Sequence, residues 1–385
     1  MKKIVLLGST GTIGLNTLDI VRRNPRLFKV TGLAAGANRA LLENQIREFR
    51  PVLVSVDRAE DAAALRRDLG RRSPKILSGP EGAEAVAAET TAEVVVSAIT
   101  GFNGLRPTLA AVRAGKIVAL ANKESMVAAG ALLRREAKRS GAMFIPVDSE
   151  HSGVFQCLAG QKTSDVRRVT LTASGGPFLR TPLRELRRKK PSDALDHPRW
   201  KMGRKVTVDS ATMMNKGLEL IEARWLFDLD PGRLGVLIHP QSVVHALIEL
   251  RDGSVLAQLS RPDMRIPIQY ALTFPERRDG LPPALDLAVV GSLEFILPDE
   301  RRFPALKTAR WVLGEKDSAA VALNAANEIA VEAFLEERLP FPEISCLVDE
   351  ALAEIRPRAL ESLEDIRAED CRIRERTRRL LAKRT

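Results

Sequence analysis

The sequence predicts an α/β chain in three parts: an N-terminal doubly wound domain, a central α+β domain and a C-terminal helical bundle. Three observations carry that prediction. Apolar β-rich runs alternate with helix-spaced segments over the first 150 residues. Beyond them the alternation gives way to strand signals around a hairpin turn. From Ala305 onward the apolar spacing is helical. At about 150 residues per domain, a chain of 385 residues holds two or three.

In the first part, strand signals fall at residues 4–7, 28–35, 52–56, 94–99, 117–120 and 143–147. Between them Leu41, Leu42, Ile46 and Phe49 have helical spacing, and Asn38 and Pro80-Glu81 read as helix starts. Continuous apolar strands alternating with helices make a parallel sheet covered on both faces. In such sheets ligands bind beyond the carboxyl ends of the strands. The polar clusters fall there: 8–14 after the first strand, Gly36 and Asn38 after the second. Asn122, Lys123 and Glu124 follow residues 117–120, and Asp148, Ser149 and Glu150 follow 143–147.

In the second part, strands are expected at 166–173 and 206–208 and a helix over 211–227. Strands at 243–250 and 255–259 flank Arg251-Asp252-Gly253-Ser254, a hairpin signal that predicts an antiparallel sheet. Prolines at 275, 282, 283, 298 and 304 mark a linker, and Pro340 and Pro342 separate later helices. The parts therefore run 1–148, 149–274, 275–304 for the linker, and 305–385. No internal repeat is visible.

Composition narrows the function classes. Hydrophobic residues make up 45% and charged residues 28%, as in a globular chain. No run approaches the ~20 apolar residues of a membrane helix, so no membrane partner is expected. The apolar start after Met1-Lys2-Lys3 stops at Gly8, too short for a leader, and reads as a strand. Cys157, Cys346 and Cys371 are too scattered for a disulfide framework or a metal site, which points to a reducing cytoplasm. The net charge of +11 suits an anionic ligand or nucleic acid. With only 4% aromatic residues, stacking platforms are scarce. The basic stretches 187–190 and 372–384 read as solvated helix faces, so no nucleic-acid partner is expected.

Gly8-Ser9-Thr10-Gly11-Thr12-Ile13-Gly14 has G-x-x-G-x-x-G spacing after a strand and opens a helix. Glycines there let the backbone approach a pyrophosphate, and the helix N-terminus presents N–H groups to it. A plain βα turn is the bland alternative. NAD sites place an acid after the second strand. Here Ala35-Gly36-Ala37-Asn38-Arg39 offers no acid and one cation, so Arg39 is expected to meet a 2′-phosphate and NADP is favoured.

Asp148-Ser149-Glu150 sets two carboxylates at i and i+2, on one side of an extended chain. They suggest a hard cation, Mg²⁺ or Mn²⁺. Glu219, one turn beyond Asn215, is a candidate third ligand. Alone, each acid reads equally as a cap or a surface charge. Ser174-Gly175-Gly176-Pro177 after a strand reads as an anion nest. Ser210 and Asn215-Lys216 lie near a helix start, where a phosphate is favoured. With the basic charge they point to a phosphorylated substrate. The four histidines, His151, His197, His239 and His245, show no zinc spacing. His197 opens a polar loop that could close over a ligand, whereas His239 and His245 read as structural. No nucleophile motif is present.

These strings resemble the 1-deoxy-D-xylulose 5-phosphate reductoisomerase family: GSTGTIG (8–14), ANKES (121–125), PVDSEHS (146–152), ASGGPF (173–178), HPRWKMGRK (197–205) and VDSATMMNKGLELIEA (208–223). IHPQSVVHALIEL (238–250), DGSVLAQL (252–259) and LNAANEIAV (323–331) extend the resemblance over essentially the whole chain. It implies NADPH contacts at Thr10, Gly11, Thr12, Ile13, Gly36, Asn38, Asn122, Glu124 and Gly203. It implies metal ligands Asp148, Glu150 and Glu219. Substrate contacts would be Lys123, Ser149, Glu150, Ser174, His197, Ser210, Asn215, Lys216 and Glu219. Ala37 departs from the family, which often carries a basic residue there; Arg39 is expected to substitute. A homodimer and a mobile loop around 197–202 are likewise implied. The implied reaction rearranges a phosphorylated sugar and reduces the product with NADPH, Lys123 and His197 standing with the three acids in the catalytic set. A different metal-assisted NADP oxidoreductase would share the first part without needing the 210–219 segment. A basic nucleic-acid-binding or scaffold protein would need neither cofactor nor cation.

Overall fold

The computed structural model describes residues 1–280 and 282–384. Leu281, within the expected linker, and Thr385, at the end of the expected bundle, lie outside the described residues. Contacts group the chain into two compact units. One is Met1–Ser125 with Leu133–Ser152 and Asp263–Pro283; the other is Met126–Leu132 with Gly153–Pro262 and Ala284–Thr385.

The first unit is built on seven parallel strands: β1 (Lys2–Leu7), β2 (Phe28–Ala35), β3 (Leu53–Val56), β4 (Lys75–Ser78), β5 (Val94–Ser97), β6 (Ile117–Leu120) and β7 (Met143–Pro146). Their spatial order is β4-β3-β2-β1-β5-β6-β7. The chain starts mid-sheet, winds out to one edge, then returns beside β1 and winds to the other. That is the doubly wound topology, with its switch point between β1 and β5. The apolar runs form central strands because helices cover both faces; Ile4 to Leu7 and Val94 to Val96 are essentially inaccessible. Strand β4 has no counterpart among the sequence expectations. Its Lys-Ile-Leu-Ser run is short and half polar, and it pairs only with β3 at the edge. Helix Arg39–Phe49 starts as expected at Asn38, whose side chain accepts the Leu41 amide. Helix Arg265–Thr273 packs on helix Thr12–Arg23, tied by the Arg265–Asp19 ion pair at 3.2 Å.

The second unit holds β8 (Val166–Ala173), β9 (Leu234–Ile238), β10 (Val244–Leu250) and β11 (Val255–Leu259), in the order β11-β10-β8-β9. The β10–β11 hairpin and the β8–β10 pair are antiparallel, but β8 and β9 are parallel. The sheet is therefore mixed, which corrects the antiparallel expectation. A long helical connection between β8 and β9 permits the parallel return. Residues 206–208 are not a strand; they lie in helix Arg204–Thr212. Their β-branched side chains signalled strand, yet Thr207, Val208 and Asp209 are buried within a helix, so packing overrides propensity. The helix expected over 211–227 is two helices, Arg204–Thr212 and Met214–Phe227, broken at Met213 with φ 63°.

Helices Pro304–Gly314, Asp317–Leu335, Glu343–Leu352 and Leu363–Ala382 form the expected helical C-terminal region. They share one apolar core with the sheet, including Leu171, Leu218, Phe334 and Ile373. The segment read as a linker is not structureless. It contains helix Leu287–Val290, and Ile296 exchanges two backbone hydrogen bonds with Ile238, both 2.8 Å.

Candidate functional site

In the first unit, β1 passes into helix Thr12–Arg23 through the glycine turn. Gly8 has φ 85°, and a Cβ there would lie 2.5 Å from the Ala98 carbonyl oxygen. At Gly14 it would lie 2.4 Å from the carbonyl oxygens of Gly8 and Ser9. Only glycine fits either position. No side chain caps the helix and no acid occupies its first turn, leaving an anion-receptive end at Thr10 to Ile13. The turn thus fits a dinucleotide pyrophosphate at the sheet's switch point. Gly36 and Asn38 follow β2 as expected. Arg39 pairs with Asp68 at 2.9 Å, both about 40% exposed, a partner not anticipated from sequence.

Asn122 follows β6 and fixes the neighbouring strand end. Its Oδ1 accepts the Ser125 amide at 2.9 Å. Its Nδ2 donates to the Ile99 and Gly101 carbonyls at 2.6 and 3.0 Å, and to Glu124 Oε2 at 3.1 Å. Buried Lys123 meets Asp148 at 2.7 Å. The 148–150 triplet is not extended as expected. Ser149–Cys157 is a helix, and the Asp148 carbonyl accepts the Ser152 amide at 2.8 Å. Ser149 and Glu150 therefore occupy its first turn, their side chains hydrogen-bonded to each other. His151, wholly buried, places Nδ1 4.0 Å from Asp148. Sequence reading gave His151 no role; its i, i+3 spacing from Asp148 was the available signal.

In the second unit, three elements converge on one imidazole. Ser174 follows β8, and Gly175 and Gly176 both have positive φ. A Cβ at Gly176 would lie 2.6 Å from the Ser210 carbonyl oxygen, so glycine lets this loop lie against helix Arg204–Thr212. His197 Nε2 is 3.0 Å from Ser174 Oγ and 3.2 Å from Ser210 Oγ. Its Nδ1 accepts the backbone amides of Arg199 and Trp200 at 3.2 and 2.9 Å. Those bonds assign the ring proton to Nε2. Burial pushes the His197 pKa down to about 4, so the ring is neutral. Two hydroxyls and one imidazole N–H beside a glycine loop suit the oxygens of a phosphate.

Helix Met214–Phe227 carries Asn215, Lys216 and Glu219 close together. Fully buried Glu219 accepts from Asn215 Nδ2 at 2.5 Å and from Lys216 Nζ. Gly203 supplies backbone just before helix Arg204–Thr212. Beside Ser210, buried Asp209 bonds Lys205 at 2.8 Å and Asn327 at 2.8 Å. The sequence reading missed this anchor, although the i, i+4 spacing of Lys205 and Asp209 signals half of it. His239 Nδ1 donates to the Glu294 carbonyl at 2.8 Å, and His245 Nε2 meets Ser260 Oγ at 3.0 Å.

A glycine-lined βα turn at the switch point of a doubly wound sheet defines a Rossmann-type α/β protein. Family models for 1-deoxy-D-xylulose 5-phosphate reductoisomerase match residues 4–130, for its C-terminal domain 144–227, and for a further DXP reductoisomerase C-terminal domain 259–376. The chain is 50% identical to the 1-deoxy-D-xylulose 5-phosphate reductoisomerase of Chlorobium limicola, covering 99% of this chain and 100% of the relative. It is 51% identical to that of Geobacter metallireducens, covering 99% of both. A DOX-P reductoisomerase in complex with NADPH, fosmidomycin and magnesium aligns with TM-score 0.94 and 40% identity, over 99% of this chain and 98% of that one. The Zymomonas mobilis enzyme with NADPH aligns with TM-score 0.92 and 39% identity, over 99% of both. The chain belongs to the 1-deoxy-D-xylulose 5-phosphate reductoisomerase family. Among the described residues no helix is long and apolar enough to cross a membrane.

Proposed function

We propose that the protein converts 1-deoxy-D-xylulose 5-phosphate to 2-C-methyl-D-erythritol 4-phosphate, using NADPH and a divalent cation. The observation that carries this reading is the near-complete structural match to a reductoisomerase that holds NADPH, fosmidomycin and magnesium. When bound, NADPH supplies the hydride and Mg²⁺ or Mn²⁺ supplies Lewis acidity.

The backbone of Thr10 to Ile13 receives the pyrophosphate. Gly36, Asn38 and Arg39 meet the adenosine ribose, with Asn122, Glu124 and Gly203 as further cofactor contacts. Asp148, Glu150 and Glu219 are the cation ligands; carboxylate oxygens are the donors a hard cation takes. Ser174, His197, Ser210 and Lys216 hold the substrate phosphate, remote from the reacting carbons, so binding energy there orients the rest of the molecule. Ser149 and Asn215 complete the substrate contacts. Lys123 is held at Asp148, where its Nζ is placed to stabilise negative charge on a substrate oxygen or exchange a proton with it. The loop opened by His197 excludes water as it closes. We further propose a cytoplasmic homodimer.

The test is consumption of NADPH with 1-deoxy-D-xylulose 5-phosphate and Mg²⁺, with the product identified by mass. Turnover to the methylerythritol phosphate is expected. Failure of the purified, folded protein to consume NADPH under these conditions refutes the reading.

A further inference from the structure

The turn after β3 puts a carboxylate where the region after β2 has none. Strands β2 and β3 are parallel neighbours with Ala35 opposite Val56, so Gly36 and Asp57 leave the sheet level with each other. A Cβ built on Gly36 would lie 3.0 Å from Asp57 Oδ2. The carboxylate therefore rests against the Gly36 backbone, at the strand end where NAD sites hold their ribose-binding acid. The nearby cations are engaged elsewhere. Arg39 pairs with Asp68 at 2.9 Å and Arg58 with Asp61 at 2.8 Å.

We infer that Asp57 is a specificity-determining residue of the cofactor site, opposing Arg39 in the choice between NADPH and NADH. The inference rests on the dinucleotide site proposed above. A carboxylate at Gly36 accepts a hydrogen bond from a ribose 2′-hydroxyl and repels a 2′-phosphate. Arg39 attracts that phosphate, but Asp68 shares its charge. With Ala37 uncharged, the two acids leave a smaller margin for NADPH than Arg39 alone would give. Asp57 is exposed, so solvent screens its effect to about three- to tenfold in affinity for a phosphate dianion.

Equilibrium binding to the full-length protein tests this without turnover. Dissociation constants for NADPH, NADH and 2′,5′-ADP are measured by calorimetry on wild type, Asp57→Asn and Asp57→Ala. The expected result is an NADPH-over-NADH affinity ratio raised about three- to tenfold in both variants, with 2′,5′-ADP tightened alike. The gain shrinks as salt is raised. A ratio unchanged within twofold in both variants overturns the inference and leaves the dinucleotide site standing. A folded wild-type protein that binds none of the three nucleotides overturns that site and the inference with it.

Discussion

His197 shows how far one side chain's surroundings fix its chemistry. Two backbone amides occupy Nδ1, two hydroxyls face Nε2, and burial disfavours the cation. With the folded pKa near 4 and the ordinary value 6.5, the folded state binds fewer protons than the unfolded chain between them. The neutral ring thus contributes stability that is complete above pH 6.5 and is lost as pH falls through that value towards 4. An NMR titration of the imidazole in the ligand-free protein should give a midpoint near 4 and the Nε2–H tautomer at neutral pH. No step in the rate profile between pH 6 and 8 should belong to it. A midpoint above 6 would contradict the hydrogen-bond assignment. At this scale the sequence pointed to Asn122 and Asp148, polar residues just past an apolar strand, but passed over Asp57, which stands in the same place after residues 52–56. It was silent where the partner arrives through the fold: Asn327 reaches Asp209 from 118 residues away, and Asp57 reaches Gly36 only through sheet register.

Elements place these groups, and one contact between helices sets the tolerance. Helix Met214–Phe227 carries Asn215, Lys216 and Glu219, and Gly217 lies among them. A Cβ at Gly217 would come 2.6 Å from the Ala309 Cβ on helix Pro304–Gly314. The two helices approach that closely because neither has a larger side chain there. Gly217→Ala forces them apart, a cost of about 1–3 kcal/mol for overpacking, against up to about 1 kcal/mol gained in helix propensity. A net loss is expected, larger for Gly217→Val, together with a fall in kcat/KM as Lys216 and Glu219 shift. Denaturant melts and steady-state rates check both; unchanged midpoints in the two variants would show the approach is not tight. Strong apolar runs such as residues 4–7 and 117–120 were readable as strands because burial on both faces demands them. The short edge strand β4 and the helical 206–208 were not, since one has little apolar signal and the other has a β-branched signal that packing overrides.

At the scale of the whole molecule, charge balance decides what the cation is for. Asp148 is paired with Lys123, and Glu219 with Lys216, each within its own unit. Two of the three proposed ligands are therefore compensated by lysines, while Glu150 bonds Ser149, and folding is expected not to require a metal. Turnover does, on the proposed reading, because neither ammonium can accept two substrate oxygens as a Lewis acid does. Excess chelator should abolish NADPH consumption, while the protein stays folded and binds NADPH with nearly unchanged affinity. Asp148→Asn replaces a charged ligand with a weaker neutral one, so more added Mg²⁺ should be needed for half-maximal rate. The same variant should lose inhibition by a phosphonate carrying a hydroxamate. That compound's two hydroxamate oxygens suit a cation, and its anion suits the Ser174, His197, Ser210 and Lys216 groups. Calorimetry with Mg²⁺, inhibition curves and circular dichroism on the chelated protein separate the outcomes. Full turnover in excess chelator, or an unaltered Mg²⁺ requirement in Asp148→Asn, would leave Asp148 and Glu219 with the structural role their lysine partners already give them.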